Sequence, residues 1–91
     1  MEIIRVLGFE LSNQIKISPT AARGLIKLAM KDELGSFIKF SKVTFSDLKL
    51  VIDTSLKTRL VHFQIQDINS LIEELTEILN KNQSLITMTN I

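Results

Sequence analysis

The stretch Ser18-Pro19-Thr20-Ala21-Ala22-Arg23-Gly24-Leu25-Ile26-Lys27-Leu28-Ala29-Met30-Lys31-Asp32-Glu33-Leu34-Gly35 constrains the fold most, because both of its ends are marked. Ser18 is placed to accept a hydrogen bond from an orphan amide of a first helical turn. Pro19 at the first helical position gives up an N–H that has no partner there. Gly35 follows the last helical residue, where a left-handed cap is cheap only for glycine. Between these ends Ala22, Leu25, Ile26, Ala29 and Met30 recur at helical spacing on one face, while Arg23, Lys27 and Lys31 repeat every four residues on another. Gly24 costs about 1 kcal/mol against alanine in a helix interior, so its presence predicts a close approach by a second element.

A helix with one apolar face needs partners to cover it, and the flanking segments supply them. Residues 2–11 and 14–18 read as two strands of a hairpin. Ile3, Leu7, Phe9 and Leu11 share one face with Ile4 and Val6 on the other, Gly8 marks a bulge or a close approach, and Ser12-Asn13-Gln14 forms the turn. Gln14-Ile15-Lys16-Ile17-Ser18 alternates apolar and polar residues, as a strand with one wet face does. Ser36–Phe40 reads as a short strand or as a connection that lays Phe37 or Ile38 into the core. Thr44 and Asp47 form a capping box, with Val43 and Leu48 spaced as a hydrophobic staple. The helix they open runs to about Ser55 or Lys57 and buries Leu48, Val51, Ile52 and Leu56.

Arg59–Ile65 returns to period two, with Val61, Phe63 and Ile65 on one side, and is rich in β-branched and aromatic residues, so it reads as a further strand. Asp67 caps a last long helix with a wide stripe of Ile68, Leu71, Ile72, Leu75, Ile78 and Leu79. Ser84–Ile91 forms an apolar tail that adds an edge strand, lies over the core or docks on another subunit. The expected class is α+β: a small, mainly antiparallel sheet packed against two or three helices, in the order β-β-α-(β)-α-β-α-tail.

At 91 residues the chain is sized for one domain, 1–91, with a small core. Thirteen leucines and thirteen isoleucines exceed what such a core readily absorbs, which points to burial against a partner. The formal net charge of +1 argues against a nucleic-acid binder, which relies on a basic excess or on clustered Lys/Arg with aromatics. The chain contains no cysteine, so thiolate chemistry and cysteine zinc sites are excluded. The only histidine, His62, gives no His-His metal pair, and no Gly-rich phosphate loop or Gly-x-Ser-x-Gly elbow is present. The sequence thus names no catalytic residue, cofactor or metal. No apolar run is long enough to span a bilayer, and Met-Glu-Ile-Ile-Arg lacks the basic region of a signal peptide, so a cytoplasmic location is expected.

What remains is association. Arg23, Lys27 and Lys31 make a basic stripe on one helix, and Glu73, Glu74 and Glu77 make an acidic patch on another. Such faces, together with the apolar Leu85, Ile86 and Met88 of the tail, suit a non-catalytic interaction module that binds itself or another protein. The alternatives are a small ligand-binding domain or enzyme whose polar groups converge only in three dimensions and, more weakly, a nucleic-acid binder using the basic stripe.

Overall fold

The computed structural model describes residues 2–89, with side chains through Ile86, and every regular element among them is helical. The expected antiparallel sheet is absent from the described residues, so the α+β class is corrected to all-α. The helices are α1 (Glu2–Ile15), α2 (Pro19–Leu34), α3 (Phe45–Val51), α4 (Lys57–Leu60), α5 (Ile68–Lys81) and α6 (Gln83–Thr89). A π-helical turn, Ile52–Leu56, joins α3 to α4, and short 3₁₀ turns at Phe40–Lys42 and Val61–Phe63 flank that rod.

The hairpin of the sequence reading is helix α1. Its buried residues are Ile3, Ile4, Leu7, Gly8, Leu11 and Ser12, a run that lies on one helical face. Small side chains at 8 and 12 interrupt that stripe when only hydrophobicity is read, and the β-branched Ile3, Ile4 and Val6 favour strand. Ser12-Asn13-Gln14 is the last part of the helix and not a turn. Lys16, at φ 61°, closes α1 in the left-handed region, and the chain reverses directly into α2.

The ends of α2 match the sequence reading. Ser18 Oγ accepts from the Ala21 N–H at 3.0 Å, and Gly35 donates its N–H to Lys31 O at 3.0 Å. Gly35 ends the helix as expected but at φ 103° and ψ 154°, an extended positive-φ region essentially reserved for glycine and not the left-handed cap expected. The close approach sits at a different glycine from the one expected. A Cβ on Gly8 would stand 2.7 Å from Arg23 Cγ and 3.4 Å from its backbone nitrogen, so α1 and α2 meet there. Around Gly24 no such atom lies within 4 Å. Gly24→Ala should therefore raise stability by about 0.5–1 kcal/mol through helix propensity alone. The check is a higher urea midpoint with an unchanged slope; a lower midpoint would place an unseen contact at that position.

The capping box at the start of α3 is complete: Thr44 Oγ1 accepts from Asp47 N–H at 3.1 Å, and Asp47 Oδ2 accepts from Thr44 N–H at 3.0 Å. The expected strand at 59–65 is instead the continuation of this rod. Leu48, Ile52, Leu56 and Leu60 are all buried, at steps of four. Each such step overshoots a 3.6-residue turn by about 40°, so a plain α-helix would swing Leu60 away from the core. The wider π turn takes up that drift. Gln64, at φ 54°, then ends the helical run. Between α2 and α3 the chain makes a connection, not a strand: Ile38 packs against the core, whereas Phe37 points outward.

Helix α5 buries Leu71, Ile72, Leu75 and Leu79, with Ile68 and Ile78 packed at the margin. The tail of the sequence reading is helical as α6, which packs on α1 and places Ile86 in the core. One core thus runs through the whole bundle. It consists of Leu, Ile, Val, Ala and Met, and none of the five phenylalanines belongs to it. Among the described residues, no helix is long and apolar enough to cross a membrane.

Candidate interaction surfaces

The basic stripe of α2 is present on one face, but its members have different employment. Arg23 is half-buried where it crosses Gly8, and its Nη2 donates to Thr20 Oγ1 at 3.2 Å. Lys27 reaches over the Phe40 ring, with Nζ 6.0 Å from the centroid, a cation–π contact between α2 and the α2–α3 connection. Lys31 is exposed. The connection itself adds Lys39 and Lys42 and carries no acid from Gly35 to Ser46. It also carries Phe37, which is 98% exposed. This end of the molecule is therefore basic and aromatic.

The acidic patch lies on α5, where Glu73, Glu74 and Glu77 are exposed. Beside it a groove of about 540 Å³ opens between the end of α1, the 63–67 turn and the start of α5. Ile15, Phe63, Ile65 and Leu71 give its apolar lining, and Asp67 and Glu74 stand with them as acids. Lys16 is the one cation among the lining residues. Asp67 is also the N-cap of α5. Its Oδ1 accepts from Ser70 N–H at 3.1 Å, and Ser70 Oγ donates to Oδ2 at 2.8 Å. These bonds hold the Asp67 carboxyl below its ordinary pKa, the backbone N–H contributing most.

That lowered pKa has a stability consequence with a fixed sign. Asp67 contributes its full stabilisation above the ordinary carboxylate range and loses it as pH falls through the lowered folded value. Asp67→Asn keeps a capping acceptor and removes the titration. The variant should therefore lose less stability than the native chain between neutral and acid pH, read from urea midpoints. Equal losses would mean that the cap is not titrating.

A polar clasp fixes the far end of α2 to the π turn and to α4. Asp32 takes two hydrogen bonds from Arg59, 2.6 Å from Nε and 3.0 Å from Nη2, and this contact lowers the Asp32 pKa. Glu33 accepts from the hydroxyls of Thr54 and Ser55, the latter at 3.1 Å. These two acids tie the end of α2 to the π turn and α4.

The tail residues divide. Ile86 is buried within the chain's own core and Leu85 packs at its margin, while the side chain of Met88 lies outside the described residues. His62 is exposed on the 3₁₀ turn. No group of three His, Asp or Glu able to hold a metal occurs among the described residues. The sequence reading missed the phenylalanines as surface features. Phe9 is 61% and Phe63 43% exposed, and Phe40 and Phe45 are only half-buried. The available signal was that Phe9 falls out of phase with the 3-4-7-11 stripe; Phe63 is in phase with 48-52-56-60, and its exposure was not legible from spacing. Compared with protein-family models, curated proteins and solved structures, the chain matches none.

Proposed function

We propose that this chain is a non-catalytic association module that binds further copies of itself through its aromatic surface and its separated charges. The observation that carries this reading is the placement of phenylalanine. The core is wholly aliphatic; Phe9, Phe37 and Phe63 are exposed, and Phe40 and Phe45 are half-buried against its edge. Phenylalanine is ordinarily among the residues most often buried, and an exposed ring costs water contact that an interface would relieve. Aromatic anchors are also where interface energy concentrates. The basic connection and the acidic α5 give a pair of faces whose attraction would set orientation and encounter rate.

The test is the mass in solution by light scattering behind size exclusion, over a dilution series and at two salt concentrations. The expected result is a species larger than the monomer that dissociates on dilution and weakens in high salt. Lys27→Glu with Lys31→Glu should weaken it further, while Arg23, which is engaged at the α1–α2 contact, is left in place. A monomer at every concentration overturns the reading. So does a monomer that shifts only when a single-stranded oligonucleotide is added, which would favour the basic stripe as a nucleic-acid surface.

A further inference from the structure

We infer that association is head-to-tail: the Phe37 connection of one copy seats in the groove between α1 and α5 of the next. This rests on the self-association proposed above and specifies its two halves. The first half is a protruding apolar ring on a basic segment. Phe37 stands 98% exposed beside half-buried Ile38, with Lys39 and Lys42 close in sequence and no acid between Gly35 and Ser46. The second half is a concave apolar site on an acidic segment. Phe63, Ile65 and Leu71 line it, and residues 60–80 contain Asp67, Glu73, Glu74 and Glu77 with no Lys or Arg; Lys16, at the end of α1, is the one cation among the lining residues. A groove of about 540 Å³ has room for a phenylalanine side chain and part of its neighbour.

The two halves cannot meet within one copy. Gln14–Lys16 of the groove adjoin the start of α2, and Phe37 follows its end. Sixteen residues of helix put about 24 Å between those ends. A second copy supplies the match, because charge of the opposite sign flanks each apolar element. Two different patches meeting in this way make a heterologous contact, which continues into chains or closes into rings and does not stop at a two-fold dimer.

Complementation tests this directly. Phe37→Asp removes the protruding half and leaves the groove intact. Gln66→Arg with Glu74→Arg reverses the rim of the groove and leaves Phe37 intact. All three positions are exposed, so both variants should keep the native far-UV circular dichroism. Each variant alone should show association weakened by at least about tenfold, as loss of a hot-spot anchor does. Mixed together they should form a one-to-one heterodimer that grows no further, because only one intact pair remains. If the native chain associates but the mixture yields no heterodimer, the head-to-tail inference fails and self-association stands. If the native chain associates and either variant alone associates as well as it does, the head-to-tail inference is also overturned. If the native chain is monomeric throughout, both fall.

Discussion

Leu75→Ala should remove about 3–4 kcal/mol of stability. Leu75 is fully buried in the middle of α5, between Leu71 and Ile72 on one side and Leu79 on the other. Truncation deletes the transfer free energy of the side chain and leaves a void that the aliphatic neighbours only partly fill. A domain of this length holds on the order of 5–13 kcal/mol in total, so a loss of that size is a large share of it. Leu28→Ala is the comparison, since Leu28 is about half exposed. It should change stability by less than about 1 kcal/mol. Urea unfolding followed by far-UV circular dichroism separates the two. Similar losses at both positions would mean that α5 is not docked through Leu75.

Gly8→Leu should cost about 3 kcal/mol, toward the upper end of what overpacking a close contact does. The added Cβ would meet Arg23 Cγ at 2.7 Å and its backbone at 3.4–3.5 Å, so α1 and α2 must separate or tilt. Gly8→Ala is the more delicate case. It gains up to about 1 kcal/mol of helix propensity, while Arg23 must give way to make room. The net change should stay within about 1 kcal/mol of zero, in contrast to the clear gain expected at Gly24. Repeating Gly8→Leu on an Arg23→Ala background should recover part of the loss, because the side chain in the way is gone. Full additivity of the two substitutions would show that Arg23 is not the obstacle.

Local punctuation was legible in the sequence, and tertiary phase was not. Ser18, Pro19 and Gly35 bound α2, Thr44 and Asp47 make a reciprocal box, and Asp67 caps α5, all as residue types at fixed offsets dictate. The α5 stripe was readable because six large apolar residues mark it without a gap. Helix α1 was hidden because Gly8 and Ser12 occupy core-facing positions, and a small side chain that enables close packing looks like a break in hydrophobicity. Residues 59–65 were misread because the π turn shifts the helical phase, so Leu60 continues a four-residue rhythm that no single helical period predicts. For the candidate surfaces, the charges of Lys27, Lys31, Glu73, Glu74 and Glu77 were visible in the sequence as two opposed groups. The groove and the exposure of Phe37 were not, because both depend on where the 63–67 turn and the α2–α3 connection lie in the folded chain.

The aliphatic core has an optical consequence. The chain has neither tryptophan nor tyrosine, so its only aromatic chromophores are rings that stand outside the core. Near-ultraviolet circular dichroism, which in most proteins reports the fixed packing of interior aromatics, would be weak for the isolated fold. Phe37 and Phe63 should acquire a chiral, immobile setting when a second copy covers them. On the proposed self-association, the near-ultraviolet band would gauge assembly, while the far-ultraviolet band gauges folding.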